Sequence, residues 1–312
     1  MTMDHIDRAE KLLEQAIARD PKFARAIATQ ADVWALKLFR RRPEDPSREE
    51  GPALEKIAAR AREALALDPK LADAYVTIGN IERTRWHLDA DVQNQQRAVE
   101  LDPNSARAKR ALAGALIDNG YMNEGLAAMS RAQVLDPLSP ASLDYVVSMA
   151  MRTERYGEAL PAVEQALLLS PDSVYLRTIK GLLLAMAGRR EEALALVRDR
   201  YTYFAIRTYA LLGERKVLET MLLESRVEAR GAFAKPYLLV LLGRNEEALD
   251  ALEKSELRMS DYATRIQNDP SWDPVREHPR FRALLGSLGV TEAHDRAQAW
   301  RKSNPPTLPR AS

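Results

Sequence analysis

The sequence predicts an all-α protein built as a solenoid of helical hairpins, and three observations carry that expectation. Leu67-Asp68-Pro69, Leu101-Asp102-Pro103, Leu135-Asp136-Pro137 and Leu169-Ser170-Pro171 set a proline corner every 34 residues. Between corners, apolar residues recur at helical spacing in two blocks parted by a breaker. The composition, 46% hydrophobic and 29% charged over 312 residues, is that of an ordinary folded chain. A fixed period of this length means that each unit buries its apolar stripe only by stacking on the next.

The elements follow in order. Ile6 to Ala18 has Ala9, Leu13 and Ala16 spaced like the second helix of a hairpin with no first helix before it. Either the chain is cut from something longer or this helix is an N-terminal cap, with Asp7, Arg8, Glu10, Lys11 and Glu14 as its polar face. Asp20-Pro21 is an earlier corner, 48 residues before Pro69. The surplus over one period falls in residues 40–51, polar, charged and proline-broken, which read as an inserted loop. After Pro103, Leu112, Ala115, Leu116 and Ile117 mark a first helix, Asn119-Gly120 a turn, and Leu126, Met129 and Ala132 a second helix. Val146, Met149 and Ala150 with Ala159, Val163 and Ala166 repeat the plan; so do Ile179, Leu183 and Met186 with Ala193, Leu196 and Val197. At each corner the proline suits the first turn of a new helix, and the preceding Asp or Ser is expected to accept from its orphan N–H groups.

Small residues recur where paired helices must approach closely. Gly79, Ala113 and Gly181 share one register, and Ala64, Ala98, Ala132 and Ala166 another. A larger side chain there costs roughly 1–3 kcal/mol. Asp91 and Gln95 interrupt the pattern, so their helix should pack loosely or supply them with partners.

With its 34-residue period and its pattern of small and large residues, the chain resembles the tetratricopeptide repeat to about residue 290. The resemblance implies a right-handed α–α superhelix of about seven to eight hairpins over residues 1–290. Past residue 198 the prolines vanish, and Tyr209 to Gly213 with Leu218 and Leu222, then Tyr237 to Gly243 with Glu247 to Leu252, read as degenerate repeats. The stretch Asp269-Pro270-Ser271-Trp272 to Leu285 opens a closing motif over 269–290. It resembles the end of tetratricopeptide regions in bacterial class III adenylate/guanylate cyclases, winged-helix regulators and some serine/threonine kinases. The Leu135 to Pro140 corner is similar to the same group. Residues 291–312 are expected to form a polar helix around Trp300 and an extended, mobile, proline-rich tail.

Catalysis is not expected. Cysteine is absent, and the four histidines, His5, His87, His278 and His294, form no local metal motif. His87 and His278 read as turn or surface histidines. Glu191-Glu192 and Glu246-Glu247 favour helix N-termini, and Gly181, Gly188 and Gly213 are isolated rather than phosphate cradles. No cofactor and no metal site is expected. The net charge of +1 gives no long-range pull toward nucleic acid. An RNA-binding helical repeat is the alternative reading, given the many arginines. No apolar run approaches the roughly 20 residues needed to cross a bilayer. The N-terminus carries no signal h-region, so a cytoplasmic location is the expectation.

Function is therefore expected to lie in shape. In this family the first helix of each hairpin lines a concave groove, which places Asn80, Arg83, Arg107, Arg110, Asp144, Ser148, Tyr175 and Leu182 there. Arg83, Arg107 and Arg110 would form a basic patch for an acidic peptide. The family's carboxylate-clamp form wants Lys and Asn at fixed groove positions. Asn80 fits one, but Val76 and Ala111 occupy others, which disfavours that form. Trp34, Trp86 and Trp272 read as packing residues. The expected role is a scaffold for a protein or peptide partner, the regulatory arm of a bacterial signalling protein.

Overall fold

The computed structural model describes residues 3–40, 50–137, 139–224, 233–257, 259 and 262–309. All regular structure among them is helical. The helices are α1 (Met3–Arg19), α2 (Ala24–Arg40), α3 (Glu50–Leu67), α4 (Ala72–Thr84), α5 (Leu88–Leu101) and α6 (Ala106–Asp118). There follow α7 (Met122–Leu135), α8 (Pro140–Arg152), α9 (Tyr156–Leu169), α10 (Val174–Met186) and α11 (Arg190–Val197). Four short helices continue the pattern: α12 (Tyr203–Leu211), α13 (Arg215–Leu223), α14 (Ala234–Leu241) and α15 (Asn245–Glu253). A π-helical turn (Tyr262–Ile266), a 3₁₀ turn (Pro270–Trp272), a single α-turn (Asp273–Arg276), a penultimate helix (Pro279–Ser287) and a last helix (Thr291–Ser303) complete the chain. Of the expected inserted loop, 41–49 lie outside the described residues; Arg40 ends α2, and Glu50 and Gly51 already open α3. Leu138 and residues 310–312 also lie outside them. No described helix is long and apolar enough to cross a membrane.

The corners work differently from the sequence expectation. Each proline sits in the turn itself rather than in the new helix. Asp20, Asp68 and Asp102 accept from the N–H two residues on, at 3.0, 3.0 and 3.2 Å. At four corners the residue before the proline also takes an N–H three residues on: Phe23 to Asp20, Leu71 to Asp68, Ser105 to Asp102 and Ser173 to Ser170. That pattern is a β-turn with its proline at the second position, where φ is already fixed. The helix caps are Ser105, Ser139 and Ser173, again one period apart, accepting from Ala108, Ser142 and Leu176 at 3.1, 3.1 and 3.3 Å.

The turns inside the hairpins have a register of their own. Trp86 (φ 68°), Gly120 (82°), Glu154 (56°) and Gly188 (80°) take the left-handed conformation one period apart. The next N–H then reaches back to the helix, as His87 does to the Glu82 carbonyl at 2.9 Å and Arg155 to Ala150 at 2.8 Å. Glycine is the residue this geometry favours; Trp86 and Glu154 hold it at a cost of about 1–2 kcal/mol each.

The chain divides into two compact units, Met1–Asn119 and Gly120–Ser312. In the first, Ala31, Leu38, Leu54, Ile57, Ala61 and Ile81 form a core between α2, α3 and α4. Burying such a Leu or Ile contributes about 1.5–3 kcal/mol. Ala64 and Ala98 are fully buried, as the small-residue register requires. Asp91 and Gln95 do find partners: Gln95 Nε2 donates to Asp91 Oδ1 at 2.9 Å and to the Val76 carbonyl at 3.3 Å. Both fill the space over Gly79, where an added Cβ would lie 2.4 Å from Gln95 Nε2. Burial pushes the Asp91 carboxyl up to about 6.

In the second unit, Leu143, Val147, Tyr156, Val163, Leu176, Ile179 and Leu183 pack between α8, α9 and α10. Farther on, Tyr203, Phe233, Tyr237, Trp272 and Phe281 form a chain of rings with centroids 4.8 to 6.4 Å apart. Residues 304–309 of the expected extended tail lie against the α8–α9 turn. Thr307 N–H donates to the Glu154 carbonyl at 3.0 Å, and Gly157 N–H to the Thr307 carbonyl at 2.8 Å.

Candidate interaction surface

In the first unit the first helices of successive hairpins, α2, α4 and α6, share one polar network. Arg107 donates to Asp73 Oδ1 at 2.5 Å and to Asp32 Oδ1 at 2.6 Å, and the Thr77 hydroxyl also donates to Asp32. Arg107 and Asp73 stand one period apart, so the network is built on the repeat itself. The Asp32 side chain is 23% exposed, yet burial raises its carboxyl above the ordinary range, against the pull of Arg107. Partial access combined with desolvation describes a recess. Nearby, Arg83 donates to Asp118 Oδ2 at 3.4 Å and to Asn80 Oδ1 at 3.3 Å. Arg110 is half-buried on α6. The expected basic patch is therefore corrected to a network of alternating charge, because Arg83 and Arg107 each hold carboxylate partners.

In the second unit Asp144 is exposed and Ser148 half-buried on α8. Tyr175 on α10 is 46% exposed, and its ring meets Phe204 edge-on at 5.7 Å. Surrounding protein still pushes its hydroxyl up to about 12, first by burial and then through the charge of Asp144. Leu182 does not line a surface: it is fully buried. Its neighbours Ile179 and Leu183 are equally buried, so this part of α10 is apolar around most of its girth.

Deeper on the same unit the chain's own closing motif takes the polar groups. Asp269 accepts from the hydroxyls of Tyr203 and, at 2.8 Å, Tyr237, and from Ser271 N–H at 2.9 Å. Arg207 approaches its carboxylate at 3.5 Å and donates to the Tyr156 hydroxyl at 2.9 Å. Asn268 Nδ2 donates to the Arg152 carbonyl at 2.6 Å. Arg276 gathers the Ile266, Gln267 and Asp269 carbonyls at 3.0, 3.2 and 2.8 Å and donates to His294 Nε2 at 3.1 Å. His294 must stay neutral to accept. Burial, then the charges of Arg276 and Arg282, push it down to about 3. Sequence reasoning missed Asp269, Arg276 and His294 as a network, since Asp269 meets Tyr203 and Tyr237 from far along the chain and Arg276 reaches main-chain carbonyls that carry no sequence signal.

His87 and His278 stand at turns. His87 Nδ1 lies 2.7 Å from Glu82 Oε2, and His278 Nδ1 accepts from Arg280 N–H at 3.3 Å. Glu191 and Glu192 open α11, and Glu246 and Glu247 open α15. Trp272 is fully buried, and Trp34 donates to Glu10 Oε1 at 2.8 Å beneath the Lys56 ammonium. Among the described residues no group of three or more acidic or histidine side chains could hold a metal ion.

Residues 149–201 match the family model of the tetratricopeptide repeat. A search of curated proteins found no match. Among solved structures, the APC/C hetero-tetramer Cut9–Hcn1 is similar over 80% of this chain and 46% of that one, at 11% identity and a TM-score of 0.52. PilF of Pseudomonas aeruginosa matches over 86% of this chain and 99% of its own, at 14% identity and a TM-score of 0.47. YrrB, described as a TPR protein with an unusual peptide-binding site, matches over 65% of this chain and 97% of its own, at 18% identity and a TM-score of 0.42. The all-helical architecture, the period and the Cut9–Hcn1 likeness make the fold that of a tetratricopeptide solenoid.

Proposed function

We propose that the chain is a non-catalytic scaffold that holds a peptide or partner domain against the first helices of its hairpins. The observation that carries this reading is the Asp32–Arg107–Asp73 network. Its side chains are accessible but already held in place, so a ligand meets groups whose ordering cost is largely met before binding. Asp73, 63% exposed, is the member a partner's carboxylate can replace on Arg107. Tyr175 offers an exposed aromatic contact in the second unit. The resemblance of Asp269 to Leu285 to the ends of bacterial signalling proteins supports a regulatory role in the cytoplasm.

Affinity capture with the wild-type chain and with Arg107→Glu/Arg110→Glu tests the reading. Proteins retained by the first and lost from the second support it. An identical retained set removes the network from the binding surface.

A further inference from the structure

We propose that the α8–α9 turn, Glu154 to Gly157, is a docking site for an extended proline-rich peptide of a partner, filled here in cis by the chain's own residues 304–309. The seated tail shows the chemistry of the site. Thr307 gives its N–H to the Glu154 carbonyl and takes the Gly157 N–H on its own carbonyl, at 3.0 and 2.8 Å. Two main-chain bonds on either side of one residue are how an added strand is recognised at an open backbone edge. Gly157 permits the approach: a Cβ there would stand 3.1 Å from the Leu308 carbonyl oxygen.

Glu154 divides its work between backbone and side chain. It holds φ at +56° in the register where Gly120 and Gly188 serve, and this turn presents the carbonyl that Thr307 reaches. Its carboxylate, buried with the rest of the residue, accepts from Arg301 Nε at 3.1 Å. Arg301 also grips both oxygens of Asp273, at 2.7 and 3.0 Å. The last helix is therefore fixed beside the turn independently of the tail that follows it.

The tail is held lightly. Pro305, Pro306, Thr307 and Leu308 are exposed, and Pro309 is the one buried side chain among its described residues. Prolines on both sides of Thr307-Leu308 keep the segment extended, so little chain entropy is lost on docking. A partner carrying the same pattern meets the same donor, the same acceptor and the same glycine once the tail lifts.

The test uses a fluorescent peptide of residues 303–310, Ser-Asn-Pro-Pro-Thr-Leu-Pro-Arg, and anisotropy on the 312-residue chain. Thr307→Pro removes the N–H that reaches Glu154 and loosens the tail. That variant should bind the peptide at least about tenfold more tightly than wild type, an effect of 1.4 kcal/mol. Adding Gly157→Val should abolish the gain, with circular dichroism showing that both variants stay folded. Equal binding by wild type and Thr307→Pro overturns the proposal, as does undiminished binding by the double variant. A wild-type dimer that Thr307→Pro dissolves would also overturn it, by giving the site to the tail of a second copy.

Discussion

In the first unit every helix runs 13 to 18 residues, whereas α11 to α15 of the second have only eight or nine. Two turns of helix expose too short a stripe to be secured by their neighbours alone. The second unit makes up the difference with large rings and buried polar groups drawn from its C-terminal residues: Trp272, Phe281, Asp269, Arg276 and His294. The first stabilises itself through small and medium aliphatic side chains between adjacent hairpins. Regular repeats support themselves pair by pair, and worn ones need contacts from far along the chain.

Acid should break the second unit first. His294 is neutral when folded, with its value pushed down to about 3 from an ordinary 6.5. Its stabilisation is complete above about pH 6.5 and is lost as pH falls toward 3, because the unfolded state then binds the extra proton. The loss is up to about 5 kcal/mol. Hydrogen exchange at pH 4 should show the amides of the last helix opening well before those of α2 to α4. Equal protection at pH 4 and pH 7 would contradict this.

Removing the central ring sharpens the same contrast. Trp272→Ala leaves a cavity in the ring cluster and should cost about 3–5 kcal/mol. Denaturant melts followed by exchange should show the loss confined to residues after Gly120.

The first unit should respond to pH with the opposite sign. Burial raises Asp91 to about 6, so its folded form keeps a proton that the unfolded chain gives up. Stability is full below about pH 4 and is lost as pH rises through 6, by up to about 3 kcal/mol. Asp91→Asn should therefore stabilise the first unit at pH 7.5 and leave it unchanged at pH 3.5, as read by urea unfolding.

The smallest effect should be shared. Ser105→Ala and Ser173→Ala each remove a helix cap at the same repeat position and should cost about 1 kcal/mol in their own units. A much larger loss at either would mean that the caps carry more than local structure.

The period made most of this fold readable. The corner prolines, the small residues at Gly79 and Gly181 and the helix pairs through α11 follow from local chemistry repeated at fixed spacing. What the period did not show was which helical positions turn inward. Leu182 shares its register with the half-buried Asn80 and Ser148, but α10 is apolar on too many sides for any one face to be singled out. The acid partners of Arg83 and Arg107 were equally hidden, since Asp118 and Asp32 lie one or more repeats away. The seat of the tail was hidden for a related reason. Its prolines predict an extended chain, and nothing local says that a turn at Glu154 will receive it.

The Trp300 indole donates to Asn123 Oδ1 at 2.9 Å across 177 residues of sequence, and the Ala293 carbonyl crowds the place where Gly120 lacks a side chain. During synthesis the early hairpins can close as they leave the ribosome, at roughly 5–20 residues per second. The opening of α7 must instead wait until the Thr291–Ser303 helix has been made. That interval is when a nascent chain of this design is most exposed to proteases and most in need of a chaperone.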